Sequence, residues 1–417
     1  MVFFVCAFAE QSVAVSWAEI DIHPNQFSAG FHILMAIILA EEVCEMDAIN
    51  SYLEVLRESY DTRILVAFAA FAIGIAFGVL AEASQFCLRA AVSEWNPNSA
   101  SATGGSGKNS LRSMQYLSAI LVSVIGVQIL HFTGVIDLSE SLYWSAPIRP
   151  VALIFGGAVF GIGMVLAGGC VSRMLVLGVS GNIRSLVTLL IAAIAAYATL
   201  RGILSYPRIM LEDIVASEEG AGVLIEGRSH VLAIAVVIAL AGILAVLTRK
   251  SGSSRGILSG LGVGLLVTIG WFATGVVGAD DFEPVALTSL SMISPLAESL
   301  QFLMIYTGDE VRFSVALIGG ILLGALVSSV IGGRFKLRGF STQAAPLRYA
   351  LGGLMMGFGG VTALGCSVGQ GVSGIGTLSL TSLIAFASIV TGAIIAMRVL
   401  NRNPEAQHSS VAAQPAE

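Results

Sequence analysis

The chain has 417 residues, of which 56% are hydrophobic and 12% charged, with a formal net charge of −6 and a mean hydropathy of +0.87. A soluble domain carries about 25% charged residues; this composition, with its long apolar runs, excludes one and implies an all-α polytopic protein in a lipid bilayer. The absence of a basic cluster argues against nucleic acid, and five cysteines without CxxC or metal-ligand spacing give no sign of a metal or cofactor.

In chain order, residues 1–45 form an extension whose apolar stretches, Met1–Ala9 and Phe31–Ala40, are too short to span. Neither has the basic start and small-residue cleavage site of a signal peptide, so the extension is expected to be weakly structured or the product of an over-long start. Cys6 and Cys44 lie within it and read as small buried hydrophobes. Nine spans are predicted at 63–82, 112–136, 151–168, 182–204, 230–248, 256–278, 311–331, 348–365 and 379–398, leaving a less hydrophobic stretch at 284–306. Loop 96–110 is polar and flexible; its Gly104-Gly105-Ser106-Gly107-Lys108 lacks the spacing and preceding strand of a phosphate loop.

Basic residues cluster in loops 249–255 (Arg249, Lys250, Arg255) and 332–348 (Arg334, Lys336, Arg338, Arg348), which should therefore face the cytoplasm. Stretch 279–310 holds Asp280, Asp281, Glu283, Glu298, Asp309 and Glu310 with no Lys or Arg, and loop 205–229 is also acid-rich; both fit outside. Nine spans threaded through these constraints place the N-terminus outside and the C-terminus inside.

Two glycine–cysteine blocks stand 196 positions apart. In the first, Gly156, Gly157, Gly161, Gly163 and Gly169 lead to Cys170; in the second, Gly352, Gly353, Gly357, Gly359 and Gly365 lead to Cys366. Pro150 matches Pro346 upstream, and Gly178 matches Gly374 downstream. With the orientation above, span 151–168 runs inward and span 348–365 outward, the signature of an inverted repeat. A looser match relates Gly74-x3-Gly78 to Gly260-x3-Gly264, and at that register Cys87 falls opposite Ala273, so one thiol has no counterpart. The expected organisation is a first membrane repeat at 46–229, a connecting helix and cytoplasmic loop at 230–255, a second, inverted repeat at 256–400 and a polar tail at 401–417. The stretches 83–111 and 284–306 are candidates for re-entrant elements.

Glycine-broken helices in inverted repeats are how many transporters build a site near the membrane midplane. Close helix packing is the alternative reading for Gly74, Gly78, Gly156 and Gly352, whereas Gly169 and Gly365, touching the cysteines, read as site residues. Glycine turns followed by helix starts offer backbone N–H groups and positive potential to an anion, and Arg89 and Arg173, just beyond their cysteines, add to it. A neutral thiol is a weak, soft donor that holds a sulfur-bearing anion loosely; a thiolate would repel the anion but could attack a sulfur compound and carry a persulfide. Gln370, Ser172, Ser367 and Ser373 are further donors in reach. Glu82, at a span end, is a functional suspect or an interface residue, His131 reads as interfacial, and Trp95, Trp144, Tyr143 and Tyr206 read as an aromatic belt.

The runs Phe86-Cys87-Leu88-Arg89-Ala90-Ala91, Leu166-Ala167-Gly168-Gly169-Cys170 and Ala363-Leu364-Gly365-Cys366-Ser367-Val368-Gly369-Gln370-Gly371 resemble the YeeE/YedE family of sulphur-transport-domain proteins, over about residues 60–400. The resemblance implies a non-enzymatic permease of the bacterial inner membrane, pseudo-symmetric and narrowed at its middle. It implies uptake of thiosulfate or a related sulfur anion, relayed by S–H···S hydrogen bonds between Cys87, Cys170 and Cys366. It also implies a small cytoplasmic sulfur-carrier protein as partner. The alternatives are a membrane sulfurtransferase forming a cysteine persulfide, a carrier of a selenium compound, and a structural subunit in which the cysteines only pack. The chain differs from shorter members in its first 45 residues, in loop 205–229, and in having Glu82 where an uncharged residue is expected.

Overall fold

The computed structural model describes residues 61–94, 111–214, 229–251, 255–279, 285–308, 310–337, 339 and 345–402. The chain divides into two units, Met1–Thr62 and Arg63–Glu417, and the second carries the membrane helices and all three described cysteines. The extension at 1–45, loop 96–110 with Trp95, most of the acid-rich loop 205–229 and the tail beyond residue 402 lie outside the described residues.

The described residues form helices and no strand. In chain order these are α1 (Thr62–Ser84), α2 (Leu88–Glu94), α3 (Leu111–Phe132), α4 (Pro150–Ala167), α5 (Val171–Val179), α6 (Ile183–Arg201), α7 (Ser205–Asp213), α8 (Ser229–Ser251), α9 (Arg255–Phe272), α10 (Ile293–Met304), α11 (Phe313–Ile331), α12 (Ala345–Thr362) and α13 (Leu380–Arg402). Single π-helical stretches follow α9 at Ala273–Val277 and precede α13 at Gly369–Gly374. Each of the nine predicted spans coincides with one of these helices. Seven segments among the described residues are long and apolar enough to cross a membrane, and α8 and α12 supply the other two predicted spans. The stretch 284–306 yields α10, whose 12 residues reach only about 18 Å at 1.5 Å per residue, well short of a bilayer.

Lipid-facing and protein-facing sides are sorted as a membrane protein requires. Phe68, Leu190, Ile238, Leu258 and Ile331 point outward, while the interior is lined by small residues and glycines. Without a hydrophobic drive between helices in lipid, close backbone contact must hold them together, and the glycines provide it. A Cβ on Gly156 would sit 2.8 Å from Ala363 N and 3.0 Å from Gly359 O; one on Gly352 would sit 2.7 Å from Ala167 N and 3.0 Å from Gly163 O. These two environments interchange when 196 is added or subtracted.

The same exchange relates Gly163, against Gly352 and Met356, to Gly359, against Gly156 and Phe160. A near-identical exchange, with the facing residues 197 apart, relates Gly157 and Gly161, on the α13 backbone at Ala385, Ile389 and Ala393, to Gly353 and Gly357, on the α6 backbone at Thr188, Ala192 and Ala196. In the outer layer, Gly74 and Gly78 of α1 meet Leu317 and Ile321 of α11, as Gly260 and Gly264 of α9 meet Gln115 and Ala119 of α3. Reciprocal contacts of this kind define a two-fold relation between the halves. Because Gly156 faces residues 359–363 while Gly163 faces 352–356, α4 and α12 run antiparallel. A two-fold that exchanges antiparallel helices lies perpendicular to them, hence in the membrane plane, which makes the repeat inverted.

Glu82 joins the two halves. Its buried carboxylate accepts from Ser328 Oγ at 2.9 Å and pairs with Arg334. On the other side of the molecule, Glu212 pairs with Arg149 and lies 3.7 Å from Arg208, so the start of the acid-rich loop is folded as α7 rather than free.

Candidate functional site

Each cysteine of the described residues stands immediately before a helix start. Cys87 precedes α2, Cys170 precedes α5, and Cys366 precedes the turn that leads into the π-helical stretch. The breaks that put them there are built alike. Gly168 ends α4 in the left-handed region (φ +85°), and its two-fold mate Leu364 ends α12 in the same region (φ +57°). Gln85 ends α1 with φ +57°. For Leu and Gln that conformation costs about 1–2 kcal/mol, so the surrounding structure holds it in place.

In the first half the two breaks interlock. Arg89, two residues after Cys87, donates from Nη1 to Gly168 O at 3.1 Å, just ahead of Cys170. Arg173, three residues after Cys170, donates from Nη2 to Gln85 Oε1 at 3.1 Å, just ahead of Cys87. The crossed ties bring Cys170 Sγ to 3.6 Å from Cys87 Sγ, in position to donate its S–H, while Ser172 Oγ lies 3.1 Å from Cys170 Sγ. Backbone N–H groups of Ala90 and Cys170 lie against the Cys87 sulfur, and that of Arg173 against the Cys170 sulfur. The arginines thus position the thiols as well as adding positive charge, and Arg89 Nε is buried without a partner.

The second half differs. Position 369, the mate of Arg173, is glycine, and position 273, the mate of Cys87, is buried alanine. Cys366 Sγ accepts from Gly369 N at 3.4 Å, as the side chain of a helix cap does. Gln370 donates from Nε2 to Ala363 O at 2.8 Å, closing the end of α12, and its Oε1 is buried without a partner. Gly365 lies against the Gln370 side chain, as Gly169 lies against its mate Met174. Ser373 binds the backbone at Leu290 O (2.6 Å) instead of lining an opening.

Donors from the first half hold the carbonyls of residues 367–377. Tyr116 binds Ser367 O, Tyr143 binds Gly369 O (2.9 Å), and Ser123 binds Val372 O (2.9 Å). Gln128 then reaches Gly376 O at 3.1 Å and Trp144 Nε1 reaches Thr377 O at 3.0 Å. Tyr143 and Trp144, expected in an interfacial belt, are therefore buried structural donors; Tyr206 is exposed as expected. His131, near the end of α3, is half-buried against Trp144. Tyr116, Ser123 and Gln128 were open to sequence reasoning only as three polar residues in an apolar helix.

The site thus has two parts, a paired-thiol half with arginines and a single-thiol half clamped by tyrosines, both closed off from lipid. Among the described residues no group of three His, Cys, Asp or Glu could hold a metal ion. Comparison with known proteins gives the family. A profile described as "Sulphur transport" matches residues 83–395, covering all three thiols and both halves. The chain belongs to the sulphur-transport family. Two similar proteins are each named "Thiosulfate transporter TsuA". The one from Spirochaeta thermophila is 28% identical over 295 residues, covering 66% of this chain and 86% of that protein. The one from Escherichia coli is 25% identical over 291 residues, covering 64% of this chain and 77% of that protein. This family member is accordingly a multi-pass membrane transporter of a sulfur-containing anion, not an enzyme.

Proposed function

We propose that the protein takes up thiosulfate, or a closely related sulfur anion, across the bacterial inner membrane, using Cys87, Cys170 and Cys366 as successive S–H donors. The observation that carries this reading is the Cys170–Cys87 thiol contact of 3.6 Å at two helix starts. A neutral S–H binds an anionic sulfur weakly and releases it readily, and helix N-termini add positive potential to that of the arginines. Gly169, Gly365, Ser367 and Gln370 shape the two thiol niches, and Arg89 and Arg173 hold the paired one while drawing anions to it. Thiosulfate is the substrate named for both relatives, which supports it here over a selenium compound. The N-terminus faces out and the C-terminus the cytoplasm, where a small sulfur-carrier protein receives the cargo.

Growth on thiosulfate as sole sulfur source tests this, in cells lacking other sulfur transporters. Wild-type protein should restore it and Cys170→Ala or Cys366→Ala should each abolish it. Growth of both variants at the wild-type rate would overturn the relay. A persulfide adduct retained on Cys170 or Cys366 after thiosulfate exposure would point to sulfur transfer instead.

A further inference from the structure

The three thiols do not sit in one open chamber, because an aromatic side chain lies among them. Tyr116 of α3 is 4% exposed. Its ring stacks on Phe86, the residue before Cys87, with centroids 5.2 Å apart and planes 16° apart. The opposite face stacks on Phe386 of α13 at 5.9 Å and 2°. Its hydroxyl donates to the carbonyl of Ser367, the residue after Cys366. One side chain therefore touches the segment that carries Cys87 and the segment that carries Cys366. All three sulfurs lie near enough to the hydroxyl to act on it electrostatically.

The fit leaves no slack. A Cβ added at Gly371 would fall against the Tyr116 hydroxyl and 2.6 Å from the Phe386 ring. The feature also breaks the two-fold: the α3–α11 exchange places Ile318 opposite Tyr116, a buried side chain with no polar atom. Cys170 and Cys366 follow the ends of antiparallel, two-fold-related helices, α4 and α12.

Resting on the transport reading above, we propose that Tyr116 is the barrier and hand-over residue between the paired-thiol half and the Cys366 half. The Phe86–Tyr116–Phe386 stack closes the passage. For an anion to pass, the hydroxyl leaves Ser367 O and donates to the anion, so its hydrogen bond is exchanged rather than lost. Tyr116 acts on the substrate by hydrogen bonding and on the passage by position; no bond is made or broken.

The test separates the ring from the hydroxyl. In intact spheroplasts and in inverted membrane vesicles, a small membrane-impermeant anionic thiosulfonate is applied and modification of Cys366 and Cys170 is followed by peptide mass spectrometry. In wild type each of these thiols should react from one face only. Tyr116→Ala, which removes the stack, should let both react from both faces. Tyr116→Phe keeps the stack and should keep the sidedness, but should slow maximal thiosulfate uptake about tenfold, the margin by which a hydrogen bond to an anion exceeds one to a carbonyl, and should lower the melting temperature no more than Tyr143→Phe does. Wild-type sidedness in Tyr116→Ala, or wild-type uptake in Tyr116→Phe, overturns the proposal. Should Tyr116→Ala fail to fold, the Tyr116→Phe uptake rate decides alone. Failure of the wild-type protein to take up any sulfur anion would sink the transport reading instead, and the labelling would still report whether Tyr116 is the barrier.

Discussion

The two-fold contact pattern makes a quantitative demand on pairs of glycines far apart in sequence. A methyl group added at Gly161 would sit 2.8 Å from Ala393 N and closer still to Ile389 O; one added at its mate Gly357 would sit 2.5 Å from Ala192 O and 2.8 Å from Ala196 N. In each case the opposing atoms are helix backbone, which cannot turn aside like a flexible side chain. The helices must part, by roughly 1 Å if an ordinary contact is to be restored, and overpacking of this kind costs about 1–3 kcal/mol. Alanine regains about 1 kcal/mol of helix propensity, leaving a net loss of up to about 2 kcal/mol.

At about 1 °C per kcal/mol for a chain of this size, Gly161→Ala and Gly357→Ala should each lower the apparent melting temperature by up to about 2 °C. Their losses should be alike, because their surroundings are alike. Gly242→Ala in α8 is the control: nothing lies within 4 Å of a Cβ there, so only the propensity gain remains and the melting temperature should hold or rise. Thermal unfolding in one detergent, followed by thiol-reactive fluorescence and repeated by circular dichroism, reads all three. If either Gly161→Ala or Gly357→Ala melts at or above wild type, these backbone contacts do not hold the halves together.

Other outcomes rest on single contacts. A two-electron azo oxidant such as diamide should join Cys87 to Cys170, taking up the two thiol hydrogens, and leave Cys366 free; peptide mapping reads the bond, and a dithiol should restore uptake. Cys366 found in the disulfide would contradict the placement of the thiols. Glu82→Gln should reduce stability by about 1–3 kcal/mol, less than a pair buried on both sides would lose, because Arg334 is half exposed and can turn to solvent. Tyr143→Phe leaves Gly369 O without its donor and should reduce stability by about 1–3 kcal/mol and slow uptake together, since Gly369 N–H contacts the Cys366 sulfur. Normal uptake there would mean the clamp does not set the Cys366 niche.

How much of this could be read from the chain depended on how far apart the partners lie. Long apolar runs in lipid fold as helices, so the seven membrane-crossing segments among the described residues were legible from their apolar runs. The repeat was legible where glycines are needed for backbone approach, and the offset of 196 between α4 and α12 is the same offset that exchanges their contacts. Elsewhere the offset drifts, to 186 between α1 and α9 and 202 between α3 and α11, because the segments between the matched contacts differ in length. A fixed-offset comparison therefore loses the outer helices, although their packing obeys the same two-fold. Tyr116 was not legible for a different reason. Its partner Ser367 is 251 residues away, and a lone tyrosine within an apolar helix looks like core.

That division explains where the asymmetry sits. A two-fold scaffold gives the two halves equal standing, so any difference in their chemistry must come from side chains that break the relation. Several do so within the site, among them Cys87 opposite Ala273, Arg89 opposite Gly275, Arg173 opposite Gly369, Met174 opposite Gln370, and Tyr116 opposite Ile318. The changes run in one sense. The paired-thiol half gains charge and a second sulfur, and the Cys366 half relies on neutral donors. On the proposed route an anion would be held more strongly at the arginine-flanked pair than at the lone thiol, with Tyr116 at the crossing between them. Exchanging the charge, with Arg173→Gly and Gly369→Arg in one chain, should reverse which niche binds sulfur anions more tightly. Protection of Cys170 and Cys366 from alkylation by added thiosulfate measures it directly. Unchanged relative protection would mean that the arginine serves only to tie the two breaks together.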